Sequence, residues 1–426
     1  MLTRLALFAL LVSALPAQTR IDIAPVWAGH PVGFALLTHG NQQFVAFYDA
    51  DRHMSVAVRK LNSKQWSIVR LPSDVKWDSH NYVTMAIDRA GHIHLSGNMH
   101  VVPLIYFRTK KPLDIATFEQ IPSMVGRNET RCTYPHWLRN ANGDLLFTYR
   151  DGRSGSGDQI LNIYDEKTQT WRRLLDTPLT DGQGRMNAYF VGPVLGPDGF
   201  YHLVWTWRDT PDCSSNHDLS YARSRDLVHW ESSSGQPFSL PIRVETAEII
   251  DRVPVQGGMI NGNTKIGFDA KGRVIVTYHK FDARGFTQII TARRDPQGWR
   301  LTTVSNWSYR WYFQGGGAIP FEITHGAVQP AAPGKLSLEF QHPQAGRGLW
   351  LLDEETHAIL ETKPLATAEP TPEGLRMNTA QDSGHPPKGR SYTLEWQTLG
   401  ANRDRPREGL LPPPSMLRVV EHQNSR

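Results

Sequence analysis

An all-β protein, a seven-bladed β-propeller built as one domain, is predicted by three features of this 426-residue chain. Short strands of alternating β-branched and aromatic residues recur, each opened by a glycine turn and followed by a second strand with an aromatic residue beyond it. The units return at intervals of roughly 50 to 70 residues, a spacing that fits propeller blades rather than a sandwich. No helical apolar periodicity is sustained beyond the first 17 residues.

The first unit runs Gly40–Tyr48, then Met54–Arg59, with Trp66 beyond. The second is Gly91–Ser96 with Leu104–Arg108 and Phe118, and the third is Gly143–Tyr149 with Ile160–Tyr164 and Trp171. Gly199–Trp205 with Leu219–Arg223 and Trp230 makes the fourth, and Gly272–Tyr278 with Gln288–Arg293 and Trp299 the fifth. A weaker sixth runs from Gly334–Phe340 to Gly348–Leu352. The terminal segments Val26–Leu37 and Tyr392–Thr398 are expected to combine into a seventh blade, which removes the open edge of the ring. Each blade has an apolar face that only a neighbour can bury. Residues 362–390, rich in Pro, Thr, Gly and charge, read as a surface loop before the closing strand.

Met1–Arg4, the apolar run Leu5–Leu15 and Pro16–Gln18 have the three zones of a secretory signal peptide. The expected organisation is a signal over residues 1–17 and a catalytic propeller over 18–426, secreted or periplasmic and monomeric. The apolar run is too short to span a bilayer. With 46 Lys and Arg against 41 Asp and Glu the chain carries +5, which favours anionic partners. The basic residues are scattered, so an acidic polysaccharide suits them better than nucleic acid. Cys132 and Cys213, the two cysteines, allow one disulfide but no disulfide scaffold.

Several polar groups do not fit the structural pattern: Asp78–Asn81, Gly97–His100, Arg131–Trp137, Phe147–Gly157 and Arg185–Phe190. Their His80, His100, Tyr134, Arg150 and Tyr189 fall at strand ends or in adjoining loops, which a propeller gathers on one face. Singly each has a bland role, since a lone histidine there is usually a hydrogen-bonded surface group and Arg150 beside Asp151 reads as a local ion pair. Together they meet the needs of β-elimination from a uronic acid. A base removes the C5 proton, a cation neutralises the carboxylate that takes up the developing charge, and an acid protonates the departing O4.

The motifs Ser79-His80-Asn81, Gly97-Asn98-Met99-His100, Tyr134-Pro135-His136 and Tyr149-Arg150-Asp151-Gly152, with Trp205–His217 and Gly315–Pro320, resemble BNR-repeat propeller proteins. That group includes ulvan lyases and lyases acting on rhamnose-α-1,4-glucuronate linkages. The resemblance implies a lyase site on one face, with His80 and His100 as the histidine pair, Tyr134 as acid/base and Arg150 as carboxylate neutraliser. Tyr189 matches a further active-site tyrosine, and Asn81, Asn98, His136 and Arg208 are assigned to substrate binding. It also implies a structural zinc on Cys213, His217 and His279, which competes with a Cys132–Cys213 disulfide; the elimination itself needs no cofactor.

Two alternatives stand beside the lyase. A related branch of α-L-rhamnosidases uses a histidine on the opposite face, where this chain has Gln42 and Gln43, with His39 nearby. A non-catalytic glycan-binding propeller is the other. Sialidase boxes are absent, Ser224–Trp230 being a partial echo.

Overall fold

The computed structural model describes residues 18–366, 371 and 374–423; the expected signal segment lies outside them. These residues form seven antiparallel sheets of four or five strands each. The first sheet shows the rule: Ala35–His39, Gln42–Tyr48, His53–Lys60 and Ser67–Asp74 pair in sequence order. Each repeat glycine joins a sheet's first strand to its second. Gly40 and Gly91 do so at φ of 59° and 90°, a backbone region open to glycine and costly for a β-carbon.

The sheets touch in order around a ring. Ala35–His39 packs on Val83–Ile87, which packs on Cys132–Arg139. Asp158–Asp165 packs on Asn187–Leu195, Asn187–Leu195 on Lys265–Phe268, and Lys265–Phe268 on Gln329–Ala332. Arg376–Gln381 of the seventh sheet returns to Ala35–His39. Apolar residues of facing sheets fill the gaps; Phe34 stacks on Trp396 with ring centroids 4.6 Å apart, joining the first and seventh sheets. Burial of such rings is the main favourable term here, since each sheet alone exposes its apolar face.

Closure uses the two ends of the chain, one element away from the expected place. Thr19–Val26 pairs with Ser415–Gln423 as the outermost strand of the seventh sheet. Of the segment 26–37, only Val26 belongs to that strand; residues 35–37 begin the first sheet. The run Val32–Leu37 is more apolar than Thr19–Val26, which buries only Ile21 and Val26, so hydropathy pointed to the wrong strand. The segment 362–390 is likewise more than a loop. It ends the strand Ile359–Pro364 and contributes Arg376–Gln381, the first strand of the seventh sheet. Asp382 then accepts hydrogen bonds from Thr38 N and Oγ1 at 2.8 and 2.5 Å, tying this strand to the first sheet.

Helical structure among the described residues is confined to three 3₁₀ turns, Ser79–Asn81, Ile115–Thr117 and Cys213–Ser215. Each is capped by an aspartate, Asp78, Asp114 and Asp212, that accepts a backbone N–H two residues on. No described helix is long and apolar enough to cross a membrane.

Candidate active site

With first strands all running the same way, the connections between sheets and the loops joining second to third strands emerge on one face. His80 lies on the connection from first to second sheet, and His100 opens the short strand His100–Val102 that follows Ile93–Gly97. Tyr134 and Tyr189 sit near the starts of Cys132–Arg139 and Asn187–Leu195, and Arg150 and Arg208 at the ends of the strands that pair with them.

A crossover brings the second and third sheets' groups together. His100–Val102 leaves its own sheet and pairs with Cys132–Thr133, with His100 opposite Thr133. Asn98 and Val101 flank His100 at φ of 56° and 57°, and Tyr134 has φ of 61°. Positive φ is rare for residues of this bulk and is held only where surrounding structure enforces it. Asn98 helps enforce it, donating to Ser73 Oγ at 2.8 Å and to the Asp74 carbonyl at 3.0 Å.

His80 and His100 stack with centroids 4.1 Å apart and planes 24° apart. One carboxylate lies between them: Asp78 Oδ1 is 2.7 Å from His80 Nδ1, and Oδ2 is 2.5 Å from His100 Nδ1. Burial raises the Asp78 pKa, but the hydrogen bonds from His100 and His80 overcome it and hold the carboxyl well below the usual range. Asp404, from the long loop of the seventh sheet, accepts from Ser79 N and Oγ at 3.0 Å each and from Ala318 N at 2.7 Å. Its Oδ2 lies 3.5 Å from His80 Nδ1 and its Oδ1 3.2 Å from His30 Nε2. Against the cost of burial, these partners bring the Asp404 pKa down to about 2.

Tyr134 links this pair to the arginine. Its ring centroid is 5.6 Å from that of His80, and the Arg150 guanidinium lies 4.9 Å from it. Burial pushes the Tyr134 phenol up, as does Tyr189, against the opposing pull of Arg150. Arg150 donates to Tyr189 Oη and Thr133 Oγ1, both at 3.3 Å, and Ser154 Oγ lies 2.6 Å from Tyr189 Oη. The Arg150 side chain forms no ion pair among the described residues, with Asp151 or any other acid, although the residue is 2% exposed. The bland alternative, a local ion pair with Asp151, is therefore not formed.

The assigned binding residues divide. Asn81 and Asn98 line a 550 Å³ cleft with Lys76, Trp77, Asp78, His100 and Asp404. Arg208 stands beside Tyr189, its guanidinium 5.3 Å from the ring, but is engaged by the carbonyls of Thr210 and Pro211 and by Asn261. It therefore braces the wall with its donors largely occupied. The exposed His136 lines a separate, open 430 Å³ cavity among the first strands of several sheets, with Leu36, Met85 and Gln381. A register shift between Thr133 and His136 lies in this stretch of the strand.

The expected zinc ligands do not converge. Among the described residues the one group with three ligand atoms within 4.8 Å of one another is Asp78, His80 and His100. His217 is held between Asp209 at 3.0 Å and Asp218 at 3.2 Å, while Cys213 sits in an apolar cluster with Ile260 and Trp311. His279 packs on Trp311, and burial, with His325 nearby, brings its pKa down to about 3. Its two ring nitrogens lack hydrogen-bond partners, so it has donor capacity, but Cys213 and His217 do not join it in a metal-sized group. Nor do the cysteines pair: Cys132 and Cys213 are free thiols in different apolar clusters.

Asp78, Asp404 and Ser154 are the groups that the sequence reading did not assign. Asp78 opens the polar stretch Asp78–Asn81 and is local to His80. Asp404 carried no local signal, being 324 residues from His80.

A model of the BNR repeat-containing family matches residues 42–307. An ulvan lyase of Alteromonas sp. (strain LOR) is 21% identical over 279 residues, which is 55% of this chain and 56% of that protein. The chain thus spans about half the length of the curated relative it matches. The crystal structure of polysaccharide lyase Uly1 superposes with a TM-score of 0.67 at 13% identity, covering 96% of this chain and 100% of that one. A PL25 ulvan lyase does so with 0.63 at 14% identity, covering 90% and 97%. A structure described as that lyase bound to -[GlcA(1-4)Rha3S]- gives 0.62 at 14% identity, with the same coverage. These likenesses show a shared β-propeller fold. The family match covers more than half of the chain, including the segments that carry His80, His100, Tyr134, Arg150 and Tyr189, and this chain belongs to the BNR repeat-containing family.

Proposed function

We propose that the protein is a polysaccharide lyase that cleaves rhamnose-α-1,4-glucuronate linkages by β-elimination and leaves a 4,5-unsaturated uronate. The observation that carries this reading is Arg150, a buried guanidinium without an acidic partner among the described residues, flanked by two tyrosines. A buried charge without a counter-ion is costly, and a substrate carboxylate supplies one. Similarity to an ulvan lyase, and to a lyase whose structure holds a glucuronate–rhamnose ligand, supports the same substrate class.

Roles follow from protonation. Arg150 holds the uronate carboxylate and draws off the charge that develops when the C5 proton leaves. The imidazoles direct Nδ1 to Asp78, and neither Nε2 has a hydrogen bond among the described residues, so a bare Nε2 serves as base. The raised pKa of Tyr134 keeps its phenol protonated, which suits it to deliver a proton to the departing O4. Asn81 and Asn98 line the adjoining cleft, and the substrate is an acidic polysaccharide met outside the cell or in the periplasm.

The test is ultraviolet absorbance of ulvan and gum arabic digests by wild type, His100→Ala and Arg150→Ala. Rising absorbance from an unsaturated uronate, lost in both variants, is the expected result. Free rhamnose without absorbance would replace elimination with hydrolysis and move the search to the opposite face. Binding of both polymers without product would leave a glycan-binding propeller.

A further inference from the structure

The Asp78 carboxylate is placed differently from a simple turn cap. One oxygen accepts both the His80 backbone N–H, at 2.9 Å, and His80 Nδ1, at 2.7 Å, while the other faces His100 Nδ1 at 2.5 Å. These oxygen–nitrogen spacings are hydrogen bonds; ligands sharing one metal ion at about 2.1 Å would stand roughly 3 Å or more apart. A carboxylate accepts only, so both Nδ1 atoms must carry protons. The other charged and titratable groups around the pair are Asp404, 3.5 Å from His80; Tyr134, ring to ring with His80; and Lys76 and Asp74 along the cleft.

We propose that Asp78 is the positioning residue of the histidine pair, setting both rings in the Nδ1–H tautomer so that each presents a bare Nε2 away from the carboxylate. Asp78 touches no reacting atom; it acts through the two rings. The inference rests on the elimination reading for its consequence in catalysis, but not for the tautomers themselves.

Asp78→Asn tests it. Asparagine is as good a cap as aspartate, so its carbonyl oxygen keeps the bonds from His80 N and His80 Nδ1 and the turn is preserved. The amide nitrogen then faces His100 Nδ1, donor against donor, and His100 must turn to the Nε2–H form. Long-range nitrogen–proton NMR of histidine-labelled protein should show Nδ1–H on both rings in the wild type. In Asp78→Asn, His100 alone should change tautomer. With ulvan, kcat should fall about 10²–10³-fold with KM within about threefold, because the lost proton acceptor matters to the transition state rather than to binding. Nε2–H on either ring in the wild type, or a variant with unchanged tautomers, would overturn the proposal. A kcat close to the wild-type value with His100 switched would assign the base to His80, whose tautomer the variant keeps, and would overturn the role of Asp78 at His100. If the wild type makes no unsaturated product, the lyase reading fails, while the tautomers still decide the role of Asp78.

Discussion

Two arginines of nearly equal burial show how differently this ring treats a charge. Arg293, 3% exposed in the fifth sheet, meets Asp295 at 2.7 Å, Glu355 at 3.1 Å and the Glu354 carbonyl at 2.7 Å. Arg150, 2% exposed in the third, meets hydroxyls and aromatic faces, and its buried Nε has no partner among the described residues. The first is a completed network that fastens the fifth sheet to the sixth. The second has no acid beside it among the described residues, and under the proposed function a substrate carboxylate would supply one. Burial alone does not separate the two: Arg59 and Arg208 are buried without an acid as well, but carbonyls and amides occupy their donors, whereas Arg150 has only two hydroxyls at 3.3 Å.

Arg150→Ala should break the comparison most sharply. Removing the carboxylate neutraliser is expected to lower kcat/KM by about 10³-fold, roughly 4 kcal/mol of transition-state stabilisation, measured by the appearance of unsaturated product. Arg293→Met should do the reverse, leaving the reaction nearly intact while lowering unfolding free energy by about 1 kcal/mol, because Asp295, Glu355 and the Glu354 carbonyl lose a donor while Arg273 and Arg300 stay beside the acids; denaturant titration reads it. Tyr134→Phe, which keeps the ring on Arg150 but removes the proton, should cost about 10²-fold in kcat with little change in KM. A kcat for Tyr134→Phe close to the wild-type value would show that Tyr134 is not the acid.

Smaller effects sharpen the contrast. Arg150→Met should be neutral or slightly stabilising, by about 1 kcal/mol, since a buried unpaired charge is replaced by an apolar chain. Asp404 has a depressed carboxyl, about 2 when folded, so its contribution to stability is full above the ordinary carboxylate range. That contribution is lost as the pH falls from about 4 to about 2. Asp404→Asn should lower stability at pH 7 and flatten the pH dependence between those limits, as thermal melts across the range would show. Smallest of all, mild reductant should leave Tm unchanged, and both thiols should be alkylated after unfolding without reduction; a single non-reducible pair would contradict the separation of Cys132 and Cys213.

The site was legible where its residues travel with local motifs. His80 and His100 stand beside turn signals, Tyr134 precedes a proline, and Arg150 follows a strand, so the five catalytic candidates could be drawn to one face from repeat phase alone. His136 and Arg208 could not be judged that way. His136 is two residues past Tyr134 but lines the cavity among the first strands, while Arg208 occupies its donors with loop carbonyls. The proposed zinc set shows the same limit, because Cys213 and His217 share a hairpin while the strand pairing holds their side chains in unlike surroundings.

From the sequence by itself came the repeating sheet, the glycine that turns its first strand into its second, and the face on which the polar exceptions gather. Those are local properties: alternation has a period of two, a tight turn with positive φ selects glycine, and both are written within a few neighbouring residues. Only the tertiary structure decided which terminal strand closes the ring, that Asp78 serves two histidines, that Asp404 reaches their segment from a loop more than 300 residues on, and that Arg150 has no acid beside it among the described residues. Each of these depends on which loops the closed ring brings within 3 to 4 Å, and no local pattern encodes a distance set by seven sheets packing together.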